Sequence, residues 1–193
     1  MTSPIEKERI QRNLWQGGNL NRHLIARDAD VLAKAFGLPA VALQKKFLMV
    51  EETGVGHNFP LSGEKLALVL TLYRAKDFDG AIVRVNEILA HQGRGHSCGL
   101  HTKDLGRARR LAEQADVVRV LINQAHTFGN GGSFDNGLNF TLSMGCGTWG
   151  GNSISENLNY KHFINITHLV TPIAEDKPSE EELFGAYWSK YGR

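Results

Sequence analysis

The stretch Gly145-Cys146-Gly147-Thr148-Trp149-Gly150-Gly151-Asn152-Ser153-Ile154-Ser155-Glu156-Asn157 decides how the rest of this chain is read. It carries one of only two cysteines, a tryptophan, and glycines that let a backbone come close to a ligand or to another segment. Gly145, Gly147 and Gly150 spell G-x-G-x-x-G, the pattern of a dinucleotide-binding turn. Such a turn opens a long helix near the start of a domain, with an acidic residue about 20 positions further on. Here Ser153 and Glu156, in capping-box spacing, predict only a short helix, and just one strand, a linker and a tail follow. The dinucleotide reading is rejected.

Upstream of that stretch the pattern is one of strands alternating with helices. Phe47–Val50 and Leu66–Tyr73 are apolar runs that predict buried strands, separated by a loop with Gly54, Gly56 and Pro60. Asp77 is placed to cap a helix carrying Ala81, Ile82, Val85, Ile88 and Leu89 at helical spacing. A strand over residues 97–101, an Arg-rich helix over 104–114 and a strand over 117–122 complete the series. The alternation predicts an α/β fold, a mostly parallel sheet with flanking helices. Ahead of it, residues 5–15 and 28–36 read as short amphipathic helices, the second capped by Asp28 and ended by Gly37. Behind it, Phe163–Val170 alternates like a strand, Pro172–Pro178 is an acidic linker, and Glu180–Tyr191 predicts a final aromatic helix. At 193 residues the expectation is one domain. It would comprise a helical lead 1–45, an α/β core 46–122, a Gly-rich region 123–160, and an oligomerisation-type strand and tail 161–193.

Bulk composition removes several classes of function. A formal charge of +2, with 20 acidic residues interleaved, argues against a nucleic-acid partner. Two cysteines make no disulfide framework and point to a reducing compartment. The longest apolar runs, such as Leu66–Leu70, are too short to cross a bilayer, so no membrane partner is expected. The first eight residues lack the basic and apolar regions of a secretion signal. A cytoplasmic location is the expectation.

His91, His96, Cys98 and His101 crowd one segment, but their spacing matches no common zinc pattern, and on a strand His101 would face away from His96 and Cys98. No metal site is expected. Cys146 has the surroundings of a nucleophile, since a thiolate gains from backbone amides of a Gly loop. It would need a base, and His96, His126 and His162 are not placed by spacing alone. A small buried side chain between two glycines is the alternative.

Taken together, the segments resemble the carboxy-terminal catalytic-domain portion of the acylating, coenzyme A-dependent branch of the aldehyde dehydrogenase superfamily. Leu142–Asn157, continuing into Lys161-His162-Phe163-Ile164-Asn165, is similar to the aldehyde half of bifunctional alcohol/aldehyde dehydrogenases almost residue for residue. Glu64-Lys65-Leu66, Tyr73–Phe78, Gly93-x-Gly95-His96-Ser97-Cys98 and Val120–Asn123 follow the family's order, so the resemblance covers Leu38–Val170. Leu158–Thr167 and the Phe184-Gly-x-Tyr-Trp ending are most similar to acylating sulfoacetaldehyde dehydrogenases.

The resemblance implies an oxidoreductase. A cysteine thiolate attacks an aldehyde (sulfoacetaldehyde or acetaldehyde), hydride passes to NAD or NADP, and coenzyme A takes the acyl group as co-substrate. It implies that Glu64 holds the nicotinamide-side ribose, that His96 has an acid/base or coenzyme A role, and that Cys146, Trp149 and Asn152 support the active-site wall. In the family the nucleophilic cysteine and the dinucleotide-binding domain precede the Glu64 motif, and neither Cys98 nor Cys146 occupies the nucleophile's motif. The isolated chain is therefore expected to be inactive. A homo-oligomer or a complementary dehydrogenase subunit is the expected partner, besides the small aldehyde substrate. The rival reading is a non-catalytic docking partner of a full-length or complementary subunit, engaged through the C-terminal strand and aromatic tail.

Overall fold

The computed structural model describes residues 2–193. The chain divides into two units, Met1–His162 and Phe163–Arg193.

In the first unit, helix α1 (Pro4–Leu14) starts on a complete capping box: Ser3 accepts from the Glu6 amide and the Glu6 side chain accepts from the Ser3 amide. Its apolar face buries Ile10 and Leu14 completely. The chain then reverses through a tight hairpin, β1 (Trp15–Gln16) against β2 (Asn19–Leu20). Gly17 and Gly18 both take positive φ, 57° and 81°, the conformation a two-residue hairpin turn demands. Helix α2 (Ala29–Ala35) follows; Asp28 stands at its cap position but makes no side-chain capping bond, contrary to expectation. Strands β3 (Leu48–Glu51) and β4 (Val69–Leu72) pair in parallel, Leu48 opposite Val69. A first core closes over them, joining Ile10, Leu14, Leu32, Phe36, Val50 and Leu61.

A second core lies around α3 (Phe78–His91), β5 (Cys98–Leu100), α4 (Leu105–Gln114) and β6 (Val120–Ile122). Asp77 caps α3 through the Gly80 amide, and Asp104 caps α4 through the Gly106 and Arg107 amides. Strands β5 and β6 pair in parallel, Cys98 opposite Val120, so β5-α4-β6 is a β-α-β unit. Ile82, Leu89, Leu111, Ala115 and Val117 form its buried centre.

The α/β class and the parallel pairing agree with expectation, but the single parallel sheet does not. The strands form separate two-stranded pairs. They are also shorter than their apolar runs: Leu66 takes φ 47° and its carbonyl accepts from the Ala26 amide, which keeps it out of β4. Leu70 within β4 remains 52% exposed, so that strand is covered on one face only.

Two predicted elements downstream are corrected. No helix follows Ser153, because residues 154–158 pair back onto 143–147 instead. The regular pieces there are short: helix α5 (His126–Asn130) and single 3₁₀ turns at Thr148–Gly150 and Tyr160–His162. In the second unit Phe163–Val170 forms no strand; alternation cannot make one without a ladder partner, and Leu169 and Val170 stay exposed. The last helix, α6 (Glu180–Tyr191), matches expectation and carries a capping box between Ser179 and Glu182.

Phe36 is the largest fully buried side chain of the first core. Phe36→Ala is expected to destabilise the chain by about 3–5 kcal/mol in urea unfolding. Asp77→Ala, which removes only a cap, is expected to cost about 1 kcal/mol.

Candidate active site

The Gly145–Asn157 stretch is a hairpin. The Gly145 amide donates to the Glu156 carbonyl (3.0 Å), the Gly147 amide to Ile154 (2.9 Å) and the Leu158 amide to Ser143 (3.0 Å). At its tip, Asn152 Oδ1 accepts from the Cys146 amide at 2.8 Å and the Asn152 amide donates to the Gly147 carbonyl at 2.8 Å. The glycines serve close approach. A Cβ on Gly145 would collide with the Ile154 carbonyl, and one on Gly150 with the Cys146 side chain. Gly95, at φ 87°, lies so near the hairpin that a Cβ there would strike the Cys146 carbonyl oxygen. Asn152 thus fixes the backbone of Cys146, while the nearest polar partner of the Cys146 thiol is the Met144 carbonyl at 4.0 Å. Trp149 stands half-exposed at the tip.

The Gly95 contact sets the hairpin against the entry to β5, where His96 lies. His96 Nδ1 is 2.6 Å from Ser97 Oγ, which is 2.9 Å from His126 Nε2 on α5. Asn130 Nδ2 donates to the same hydroxyl at 2.7 Å. Burial, then the Arg119 charge, pushes the His96 pKa down, with Glu64 opposing; burial, then His96, does the same to His126. Both imidazoles are thereby biased toward the neutral form.

Arg119 itself is only 6% exposed. It donates to the Gly145 carbonyl at 2.9 Å and to Asn157 Oδ1 at 3.3 Å, and burial lowers its pKa. Asn157 Nδ2 in turn donates to the carbonyls of Asn130 (2.8 Å) and Asn139 (2.9 Å).

Glu64 sits on the loop before β4, exposed at the edge of a groove of about 470 Å³ that Trp15, His57, His91 and Gln92 also line. Its amide donates to Gln92 Oε1 at 2.7 Å, which pins the loop to the end of α3. Among the described residues its carboxylate has no ion-pair partner and is free to accept from a ligand's hydroxyls. Lys65 beside it donates to the Leu61 and Gly63 carbonyls, and burial lowers its pKa to about 8 against the pull of Glu64.

The structure therefore brings the hairpin of Cys146, Trp149 and Asn152 against the His96 segment. Gln92 connects that segment to Glu64. The remaining cysteine and histidines of the crowded segment do other things. Burial raises the Cys98 thiol pKa, and His91 packs edge-on to His57 with ring centroids 5.4 Å apart. Among the described residues no three His, Cys, Asp or Glu side chains gather as metal ligands. Sequence reasoning missed Ser97, Asn130, Arg119 and Gln92, and left His126 unplaced. The adjacency of Ser97 to His96 was the only available signal, since the others join through tertiary contacts.

Fold and sequence together make this chain homologous to part of the acylating aldehyde dehydrogenases. The acylating sulfoacetaldehyde dehydrogenase of Cupriavidus necator is 49% identical over 189 residues, which cover 97% of this chain and 38% of that protein. The enzyme of the same description from Bilophila wadsworthia is 36% identical, covering 97% of this chain and 41% of that protein. An acetylating aldehyde dehydrogenase from Geobacillus thermoglucosidasius superposes with a TM-score of 0.82 at 28% identity, over 92% of this chain and 39% of the other. The chain thus spans well under half the length of these relatives. No protein-family model matches it.

Two expectations follow from this geometry. His96 and His126 have lowered pKa values when folded, so the unfolded chain binds more protons near and below the ordinary histidine value of about 6.5. Stability is complete above that value and declines as pH falls through it, so the Tm should be lower at pH 5.5 than at 7.5. In a His96→Gln/His126→Gln variant the decline should shrink. Gly95→Ala should push the hairpin away and speed iodoacetamide labelling of Cys146 relative to Cys98. Unchanged labelling would mean that the Gly95 contact does not hold Cys146.

Proposed function

We propose that this chain is part of one catalytic domain of a cytoplasmic acylating aldehyde dehydrogenase, converting a small aldehyde, sulfoacetaldehyde or acetaldehyde, to its acyl-coenzyme A. The observation that carries the reading is 49% identity along 97% of the chain to an acylating sulfoacetaldehyde dehydrogenase. The hydrogen-bonded placement of His96 beside the signature hairpin adds to it.

In this reading, bound NAD or NADP accepts the hydride and coenzyme A accepts the acyl group. Glu64 fits the first because its carboxylate is exposed at the edge of a groove with room for a ribose and unpaired among the described residues. It would accept the two ribose hydroxyls, while Gln92 holds its backbone in place. His96, kept neutral by burial, would accept or return a proton at its free Nε2. The hairpin would exclude water: Asn152 fixes the Cys146 backbone, and Trp149 supplies an apolar face at the tip.

Neither cysteine is set up as the nucleophile. Cys98 belongs to β5 with its thiol disfavoured as thiolate by burial, and Cys146 is packed between glycines with no histidine bonded to it. The purified 193-residue chain, given either aldehyde, coenzyme A and NAD or NADP, is expected to produce no NAD(P)H. Joined to the amino-terminal part of the Cupriavidus necator relative, it should do so. In that fusion His96→Gln should slow turnover about 100-fold, and Glu64→Gln should raise the KM for the nicotinamide cofactor. A folded fusion without activity, or an active isolated chain, would sink the reading.

A second reading is favoured by the exposed apolar surface of the second unit, where Ile166, Leu169, Val170, Leu183, Phe184 and Tyr187 all face solvent. It is a non-catalytic subunit that docks on a full-length or complementary dehydrogenase subunit. Co-purification with such a subunit would support it; a monodisperse monomer in sedimentation that captures none would exclude it.

A further inference from the structure

The Ser97 hydroxyl has three neighbours and only three hydrogen-bonding valences, one donor and two acceptors. Asn130 Nδ2, which can only donate, uses one acceptor site at 2.7 Å. That leaves one donor and one acceptor for two imidazole nitrogens, His96 Nδ1 at 2.6 Å and His126 Nε2 at 2.9 Å. With all three contacts satisfied, one ring must donate to Ser97 and the other must accept from it. The two facing nitrogens cannot carry a proton at the same time without one contact breaking, because the oxygen has no third lone pair.

We propose that Ser97, held by Asn130, couples His96 and His126 into a proton relay, and that His126 is a positioning residue setting the tautomer of His96. In one state His126 Nε2–H donates to Ser97 and the Ser97 hydroxyl donates to His96 Nδ1, so His96 presents Nε2–H. In the other, His96 Nδ1–H donates to Ser97 and the hydroxyl donates to His126 Nε2, so His96 presents a lone pair at Nε2. Passing between them releases one proton from His96 Nε2. The Ser97 proton moves to His96 Nδ1, the His126 Nε2 proton moves to Ser97, and His126 Nδ1 takes one proton from water. No net charge is gained. His126 and Gly99, against which its Nδ1 lies, are both exposed residues, whereas His96 is half-buried. His96 thereby becomes an acid or a base at the same site without passing through a buried imidazolium.

Arg119 disfavours a proton on His96 and Glu64 favours one, while His96 is the charged neighbour felt by His126. The inference rests on the acid/base reading of His96 for its chemical use, but not for its test.

The test is nuclear magnetic resonance on the full chain with ¹⁵N-labelled histidine, reading ring tautomers and titration without any turnover. At pH 8 one of the two facing nitrogens should be protonated and the other bare. Below that, the two rings should titrate in separate steps. Ser97→Ala should narrow the gap between the steps by about half a pH unit or more and release the tautomers, the residual gap being charge repulsion alone. Ser97→Thr, which keeps the hydroxyl, should restore both. His126→Gln changes an exposed residue and should shift the His96 tautomer populations and midpoint even if Ser97→Ala fails to fold. The same protonation on both facing nitrogens would overturn the relay, as would a His96 signal indifferent to Ser97→Ala and His126→Gln. Loss of activity in the fusion with the relay intact would instead count against the dehydrogenase reading.

Discussion

Asn157 lies 3% exposed where three segments converge, and its amide bonds to all of them. Its nitrogen donates to the carbonyls of Asn130 and Asn139, and its oxygen accepts from the Arg119 guanidinium, which also holds the Gly145 carbonyl. The region from 123 to 160 has little regular structure and no large apolar core. Its order depends on polar groups that bond to one another away from water, with Arg119 Nε and Asn130 Oδ1 left buried without a partner. Removing one member would leave the others buried and unpaired, which costs about 1–3 kcal/mol for each group and more for the cation. Arg119 has no carboxylate partner among the described residues, so amide and carbonyl dipoles alone hold its charge. This hub fixes the hairpin, the hairpin meets Gly95, and Gly95 sets the position of His96.

That chain of dependence gives the signature stretch a structural role. At Gly145 and Gly150 a backbone oxygen and a cysteine side chain lie where a Cβ would be. In a phosphate-binding turn the same residues would point amide hydrogens outward to an anion. Here the Gly145 and Gly147 amides are consumed by the opposite arm of the hairpin. The resemblance to G-x-G-x-x-G is one of composition.

The helices could be read from the sequence because their signals are local. Asp77 caps the helix it predicted, and Ser3, Asp104 and Ser179 cap three others at the predicted starts, although Asp28 makes no capping bond. The sheets could be read only in part. An apolar run announces a strand but says nothing of its partners, so two parallel pairs looked like one sheet, and Phe163–Val170 looked like a strand with no neighbour to complete it. The same limit applied to the site. Ser153 and Glu156 had the right spacing for a helix cap, yet the opposite arm of the hairpin claimed the Ile154 and Glu156 carbonyls. Glu64 and His96 are candidates named by motif, whereas the contacts of Arg119, Asn130 and His126 join positions far apart in the chain and leave no periodic trace.

The separation of the two cores bears on how the first unit assembles. No residue belongs to both: one gathers α1, α2, β3 and β4, the other α3, α4, β5 and β6. Each parallel pair joins strands about twenty residues apart, a short loop whose closure costs little entropy. Each parallel pair can therefore form early on contacts of modest sequence separation, although the first core also reaches back to Ile10 and Leu14. The Gly-rich region has no such local route. Its hub ties Arg119 to Asn157 and Asn130 to Asn157, and these bonds form only after both ends are in place. The part of the molecule that shapes the candidate site is therefore expected to order last and to open first.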